Sequence, residues 1–296
     1  MTMHKNFTNL SLDGYTFQSH WMSVNQFRYH YLDEGMPEDA PVVMVHGNPS
    51  WSYYYRNLIP EISKNHRVIV PDHMGMGLSD KPQDYIYRLE KHIENLEFLV
   101  ESLNLKDITL VLHDWGGVIG MGYAVRHPEK VKQFVILNTA AFYMPILPLS
   151  LQLARSPFLG DFLVRGLNGF AFSALFFGVV HHERMTKAIR QGFLSPYDNW
   201  HNRIAIFRFI QDIPAEENHP SRKLLDEIGE KIGIFKDHPM LIAWGDKDPV
   251  FSRKFFDEWN QRFPQAQSHL FQDAGHYVLE DAYERILPLI LKFLNT

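Results

Sequence analysis

No cysteine occurs in the 296 residues, and that absence excludes disulfides, thiolate nucleophiles and cysteine-ligated metals. Long apolar runs are missing too. None approaches the roughly 20 residues needed to cross a bilayer, so no membrane span is expected. Met1 to Phe17 hold no continuous apolar stretch of the signal-peptide kind, which points to the cytoplasm. There is no excess of positive charge: 29 Lys and Arg stand against 34 Asp and Glu, a net −5. That balance offers no electrostatic case for nucleic acid or an anionic membrane, and it suits a small, uncharged substrate. Without export, the glycosylation-type triplets at Asn6 and Asn9 read as chance matches. What is present is an apolar content of 45%, enough for a globular chain built as one large domain or as a core with an inserted subdomain.

Two strand-like stretches, Trp21 to Val24 and Arg28 to Leu32, flank Asn25-Gln26 and predict an antiparallel hairpin at the start of a sheet. Four short β-branched runs follow: Val42 to Val45, Val68 to Val70, Ile108 to Leu112 and Phe134 to Leu137. They suit parallel strands buried on both faces. Between the second and third, Leu89, Ile93, Leu96, Val100 and Leu103 recur at spacings of four and three, the buried stripe of a helix. The rhythm breaks near Ala140. From about Tyr143 to Pro214 aromatic-rich helical patterns replace strands, which resume at Met240 to Trp244 and Ser268 to Phe271 before a closing helix from about Glu280 to Leu294. The reading is an α/β fold with a mostly parallel central sheet and helices on both faces. Residues 1–142 and 215–296 form its core, and residues 143–214 form a helical cap over the C-terminal edge of the sheet, where open α/β folds bind ligands.

The chemistry is concentrated in three post-strand turns and the loop facing them. The run from Ile108 ends in His113-Asp114-Trp115-Gly116-Gly117, the strand–elbow–helix of an α/β-hydrolase with aspartate where serine usually stands. An aspartate with an ordinary pKa of about 3.9 is already ionised at neutral pH and attacks an electrophilic carbon without a base. The product is an ester on the enzyme, which a base-activated water can open. His276, in the turn Asp273-Ala274-Gly275-His276, is the candidate base, and Asp248, in Gly245-Asp246-Lys247-Asp248, its orienting acid. Asp246 is the rival acid, two residues early and better placed to face solvent or close the turn. In His46-Gly47-Asn48-Pro49-Ser50-Trp51, backbone N–H groups face the elbow, and Asn48 with the Trp115 indole adds side-chain donors for a departing anion. His181-His182 lacks a third ligand nearby, and Asp246-x-Asp248 lacks the glycine and distal glutamate of a calcium loop. No metal or cofactor is expected. Phe170 to Val180 is apolar but short, and suits a buried helix or a tunnel wall better than a membrane-dipping segment.

With HGNPSW, PDHMGMGLSDKP, HDWGG, LNTAAF, GDKD and DAGH, the chain resembles the haloalkane dehalogenases along nearly its whole core. The resemblance implies Asp114 as nucleophile, His276 as water-activating base, Asp248 as acid, and Asn48 with Trp115 as halide or anion holders. Asn138 stands where one dehalogenase subgroup keeps a glutamate acid, so that arrangement does not apply. Epoxide hydrolases share the elbow but need two cap tyrosines, for which Tyr143 and Tyr197 are the candidates.

The cap motifs SPYDNW, NRIA and FIQDIP, with HYVLEDA after the last strand, resemble the β-lactone decarboxylases of bacterial long-chain olefin biosynthesis, a branch of the dehalogenase family. That branch implies conversion of a cis-3,4-dialkyl β-lactone into a cis-alkene and CO2, with other enzymes of an olefin-forming pathway as partners. Haloalkane hydrolysis is the alternative, followed by epoxide hydrolysis and a catalytically inactive binding protein. An apolar substrate would be held by Trp51, Phe142, Phe172, Phe176, Trp200, Phe209 and Tyr277. Two alkyl chains would gain roughly 0.8 kcal/mol per buried methylene.

Overall fold

A computed structural model describes residues 12–295; the triplets at Asn6 and Asn9 lie outside them. Eight strands form one sheet: β1 (Ser19–Val24), β2 (Phe27–Glu34), β3 (Pro41–Val45), β4 (Arg67–Pro71), β5 (Ile108–Asp114), β6 (Val131–Thr139), β7 (Met240–Gly245) and β8 (Gln267–Phe271). Their order is β1-β2-β4-β3-β5-β6-β7-β8, parallel from β4 onward, with β1 and β2 antiparallel at one edge. Asn25 and Gln26 turn the β1–β2 hairpin at φ +46° and +69°, the left-handed pair of a type I′ turn whose twist matches its strands. Val24 pairs with Phe27 across it.

Every residue of β5 and β7 is buried, as are all but the first of β3 and β4. Strands buried this thoroughly are covered by helices on both faces, which is why their sequences read as unbroken apolar runs. The covering helices of the first half are α1 (Ile59–Ile62), α2 (Leu89–Ser102) and α3 (Trp115–Arg126). The stripe Leu89, Ile93, Leu96 and Val100 is buried on α2, each side chain contributing about 1.5–3 kcal/mol. Leu103 caps that helix rather than extending it.

Between Thr139 and Met240 the described residues form no strand. They form α4 (Leu149–Ala154), a π-helical turn (Asp161–Gly166), α5 (Gly169–Phe177), α6 (Lys187–Leu194), α7 (Ile204–Gln211) and α8 (Arg222–Lys231). The last packs on α3, so the chain has rejoined the sheet layers by then. α9 (Arg253–Arg262) and α10 (Val278–Leu294) complete the fold. α10 bends at Ala282, where the backbone leaves helical φ/ψ.

Of the two readings of Phe170 to Val180, the tunnel wall holds and the fully buried helix does not. On α5, Ala171 and Leu175 are buried, but Phe172, Phe176 and Phe177 are 55%, 60% and 66% exposed. The segment is apolar all round, so no periodicity marked which side would be covered.

Arg56 and Glu280 clamp α10 to the loop after β3 through two hydrogen bonds of 2.6 and 2.7 Å, with both side chains 3% exposed. Removing one partner strands the other charge in a dry site. Glu280→Ala should lower unfolding free energy by about 3–5 kcal/mol, whereas the double change Arg56→Met/Glu280→Leu should recover most of the loss. Urea unfolding of the three proteins checks this.

Candidate active site

Asp114 sits at the junction of β5 and α3 with φ +51° and ψ −126°. Such a backbone costs of order 1–3 kcal/mol for a residue with a side chain and persists only where its surroundings impose it. They do so through missing Cβ atoms: one on Gly47 would overlap the Asp114 carboxylate, and one on Gly117 would overlap the Thr139 hydroxyl. That hydroxyl donates a short hydrogen bond to the Asp114 carbonyl. The elbow thus presents the carboxylate to the Asn48 N–H, 2.6 Å from Oδ1, and to the Trp115 N–H. Burial raises the Asp114 pKa, and His276 with these two donors opposes the rise.

His276 reaches the site from the turn after β8. Its Nε2 is 3.7 Å from Asp114 Oδ2, and its Nδ1 is bonded to Asp248 Oδ2 at 2.8 Å. Burial lowers the imidazole pKa, but the charge and hydrogen bond of Asp248, together with the charge of Asp114, outweigh it and leave the pKa raised. Asp248 is itself saturated. Val250 and Phe251 donate backbone N–H to Oδ1, at 2.7 and 2.9 Å, and Asn138 donates Nδ2 to Oδ2 at 2.9 Å. Asn138 also exchanges hydrogen bonds with the Gly245 backbone, so the residue at the alternative acid position braces the acid in use. Asp246 lies 3.7 Å from Arg253 instead.

The two side-chain donors differ from expectation in one respect. The Asn48 amide donates to the Ile206 carbonyl of α7 at 3.1 Å, which leaves its second N–H for a ligand. The Trp115 indole lines the cavity, and among the described residues its N–H meets no acceptor.

These groups close one end of a cavity of about 1050 Å³, at the upper end of the range for small-molecule sites. Its walls are largely apolar, with Val118, Phe142, Leu151, Phe170, Phe177 and Phe251 prominent among them. Of the seven expected lining residues only Phe142 is there. Trp51 is buried behind the site, stacked on Tyr53 and bonded to the Gly192 carbonyl. Phe209 packs edge-on behind Trp115, and Tyr277 packs against Phe193. Phe172 and Phe176 point outward, and Trp200 lies under the Arg165 guanidinium. Phe170 and Phe177 fall in the stretch read as a tunnel wall; Phe251 was not among the expected lining, and only its position three residues after Asp248 signalled it. Tyr143 lines the cavity, but Tyr197 is buried and donates to the Ser50 carbonyl, so the cavity does not hold the tyrosine pair an epoxide needs.

The model of the alpha/beta hydrolase fold matches residues 40–283. A cis-3-alkyl-4-alkyloxetan-2-one decarboxylase of Shewanella oneidensis is 48% identical over 94% of this chain and 89% of that protein. One of Xanthomonas campestris pv. campestris is 41% identical over 97% of this chain and 99% of its own. A haloalkane dehalogenase of Mycolicibacterium paratuberculosis is 29% identical, with 96% of this chain and 94% of that protein covered. Among solved structures, the haloalkane dehalogenase DbeA of Bradyrhizobium elkani shares the fold at a TM-score of 0.82 and 20% identity, covering 94% of this chain and 99% of that one.

Because burial lowers the His276 pKa and Asp248 supplies most of what opposes it, Asp248→Asn should lower the imidazole pKa from its raised value toward or below about 6.5. Nitrogen-15 NMR titration of His276 in the two proteins measures the change.

Proposed function

Because the chain belongs to the alpha/beta hydrolase fold family, we propose that Asp114 is a covalent nucleophile and that the reaction is decarboxylation of a cis-3-alkyl-4-alkyl β-lactone to a cis-alkene and CO2. The observation that carries this reading is the gap in similarity: 48% and 41% identity to two decarboxylases, against 29% to a dehalogenase, over almost the same residues. The large, mostly apolar cavity supports it, since a short haloalkane would leave most of that volume empty. In this reading residues 143–214 are a cap on a core of 1–142 and 215–296, and the chain works in the cytoplasm beside other olefin-forming enzymes.

The stereochemistry follows from one displacement and one fragmentation. In the four-membered ring the C4–O bond and the bond from C3 to the carboxyl carbon lie on the same side. Asp114 Oδ attacks C4 from behind, the C4–O bond breaks, and the ring oxygen leaves with the electron pair as part of a carboxylate. The new ester oxygen now stands opposite the C3–carboxyl bond. The electron pair of that bond becomes the alkene π bond as CO2 departs and C4–O of the Asp114 ester breaks. Both alkyl groups have stayed on one side, so cis gives cis. Asp114 returns as a carboxylate, with no water consumed and no net proton moved.

The parts have separate tasks. The second Asn48 N–H and the Trp115 indole N–H hold the carboxylate freed from the ring, where donors in a water-poor site are worth most. His276, as imidazolium oriented by Asp248, balances that charge and the one on Asp114. In haloalkane hydrolysis the same imidazole works neutral, deprotonating the water that attacks the aspartyl ester.

The test supplies purified protein with a dialkyl β-lactone and, separately, a 1-haloalkane, in 18O-labelled water. Lactone should turn over faster and leave Asp114 unlabelled, because its ester breaks at C4–O; hydrolysis of an alkyl ester would put 18O into Asp114. Peptide mass spectrometry reads the label. Halide release exceeding alkene formation by orders of magnitude, or label in Asp114 after lactone turnover, overturns the proposal.

The pH profiles should also part. Lactone turnover is lost on the acid side as Asp114 protonates, at a pH above the ordinary carboxylate value, and again on the alkaline side as His276 deprotonates above about 6.5. Ester hydrolysis should instead rise through the His276 pKa.

A further inference from the structure

Among the described residues sixteen large apolar side chains stand exposed, and ten of them lie between Leu149 and Val180, a stretch of about one-ninth of the chain. Six of the ten form pairs four residues apart: Leu149 with Leu153 on α4, Phe158 with Phe162 leading into the π-helical turn, and Phe172 with Phe176 on α5. Four-residue spacing puts each pair on one face of its helix. α4 and α5 both pack on the π-helical turn, so the three pairs belong to one layer. The opposite sides of the same segments line the cavity, through Leu151, Val164, Phe170 and Ala174. Phe177 does both, lining the cavity while 66% exposed. The wall between the reacting groups and the exterior is therefore one helix thick and apolar on both sides.

Charge is segregated in the same direction. Residues 143–214 hold seven Lys and Arg against four Asp and Glu, in a chain whose net charge is −5. α6, which packs on α5, exposes Lys187 and Arg190, and among the described residues neither is in an ion pair. An aromatic and aliphatic face bordered by unpaired cations is the composition of an element that lies in a membrane interface. Among the described residues no helix is long and apolar enough to cross a bilayer, and the face needs none, since insertion to the depth of its side chains would cover it.

We propose that this face of the cap docks on an anionic lipid surface, with the rim of the cavity at Phe177 opening toward the acyl chains. The inference goes beyond the reaction assigned above, because it concerns where the protein sits whatever its apolar substrate is. Overall charge balance argued against such a surface; the placement of the charges reverses that. A second copy of the chain is the rival occupant of the same face, and the experiment separates the two.

The full-length protein is sedimented with vesicles of phosphatidylcholine and phosphatidylglycerol at 3:1, and with phosphatidylcholine alone. The parent should bind both, more tightly to the anionic vesicles. Lys187→Glu/Arg190→Glu should weaken binding to anionic vesicles by about fivefold or more per cation lost, with little change on neutral ones. Leu149→Ser/Phe158→Ser/Phe162→Ser, none of them a cavity-lining residue, should weaken binding to both by at least tenfold while melting temperature and turnover of a short-chain substrate stay at parent values. If the parent stays in the supernatant with both vesicles, the proposal fails. It also fails if sedimentation velocity without lipid shows a self-associated parent and a monomeric triple-serine variant, since protein would then be what covers the face.

Discussion

The passage of the chain from β5 into α3 at a positive φ is the constraint on which the reacting end of the molecule depends. An aspartate in a relaxed turn would keep its carboxylate beside its own helix. Here the strained backbone throws it clear, and the surroundings hold it there by having no atoms in the way. Gly47 and Gly117 leave room for the Asp114 carboxylate and the Thr139 hydroxyl, and that hydroxyl ties down the Asp114 carbonyl. The same strand ends deliver the Asn48 N–H from the loop after β3. Parallel strands end together, so four loops from distant parts of the chain meet at one edge.

Burial then separates two carboxylates into two roles. Asp248 accepts from Val250, Phe251, Asn138 and His276, which occupies both of its oxygens and fixes its orientation. Asp114 Oδ1 accepts from the Asn48 N–H, and Oδ2 looks across 3.7 Å at the imidazole, too far for a hydrogen bond to it. In the proposed mechanism that unspent oxygen is what attacks. The imidazole between them sits in a dry site beside two negative charges, and charge outweighs desolvation there.

The cap works against the usual economy of globular proteins. A helix normally turns one apolar face inward and a polar face outward, but α5 is apolar on every side, lining the cavity with one and exposing phenylalanines on another. Contacts from α7 set the inner boundary of the site: the Ile206 carbonyl takes one N–H of Asn48, and Phe209 backs Trp115. A segment that shapes the site from one side and shows apolar surface on the other links the chemistry to whatever covers that surface.

The strands, the hairpin turn, the elbow and the order of Asp114, Asp248 and His276 were legible in the amino-acid sequence because each depends on local chemistry. β-branched runs favour extended backbone, small residues permit tight turns, and reactive side chains lie directly after strands. Asn138 stands at a position the sequence marks, but its hydrogen bond to Asp248, 110 residues away, is a product of β6 and β7 lying side by side. The cavity lining was the least legible part. Trp51, Phe209 and Tyr277 fell behind the wall, and Phe172, Phe176 and Trp200 fell outside it. Aromatic content says that a side chain will seek apolar contact; only the packing of each helix against its neighbours decides which of its faces meets the cavity. In a segment such as Gly169–Phe177, apolar all round, the sequence determined the helix and the tertiary structure alone decided its rotation.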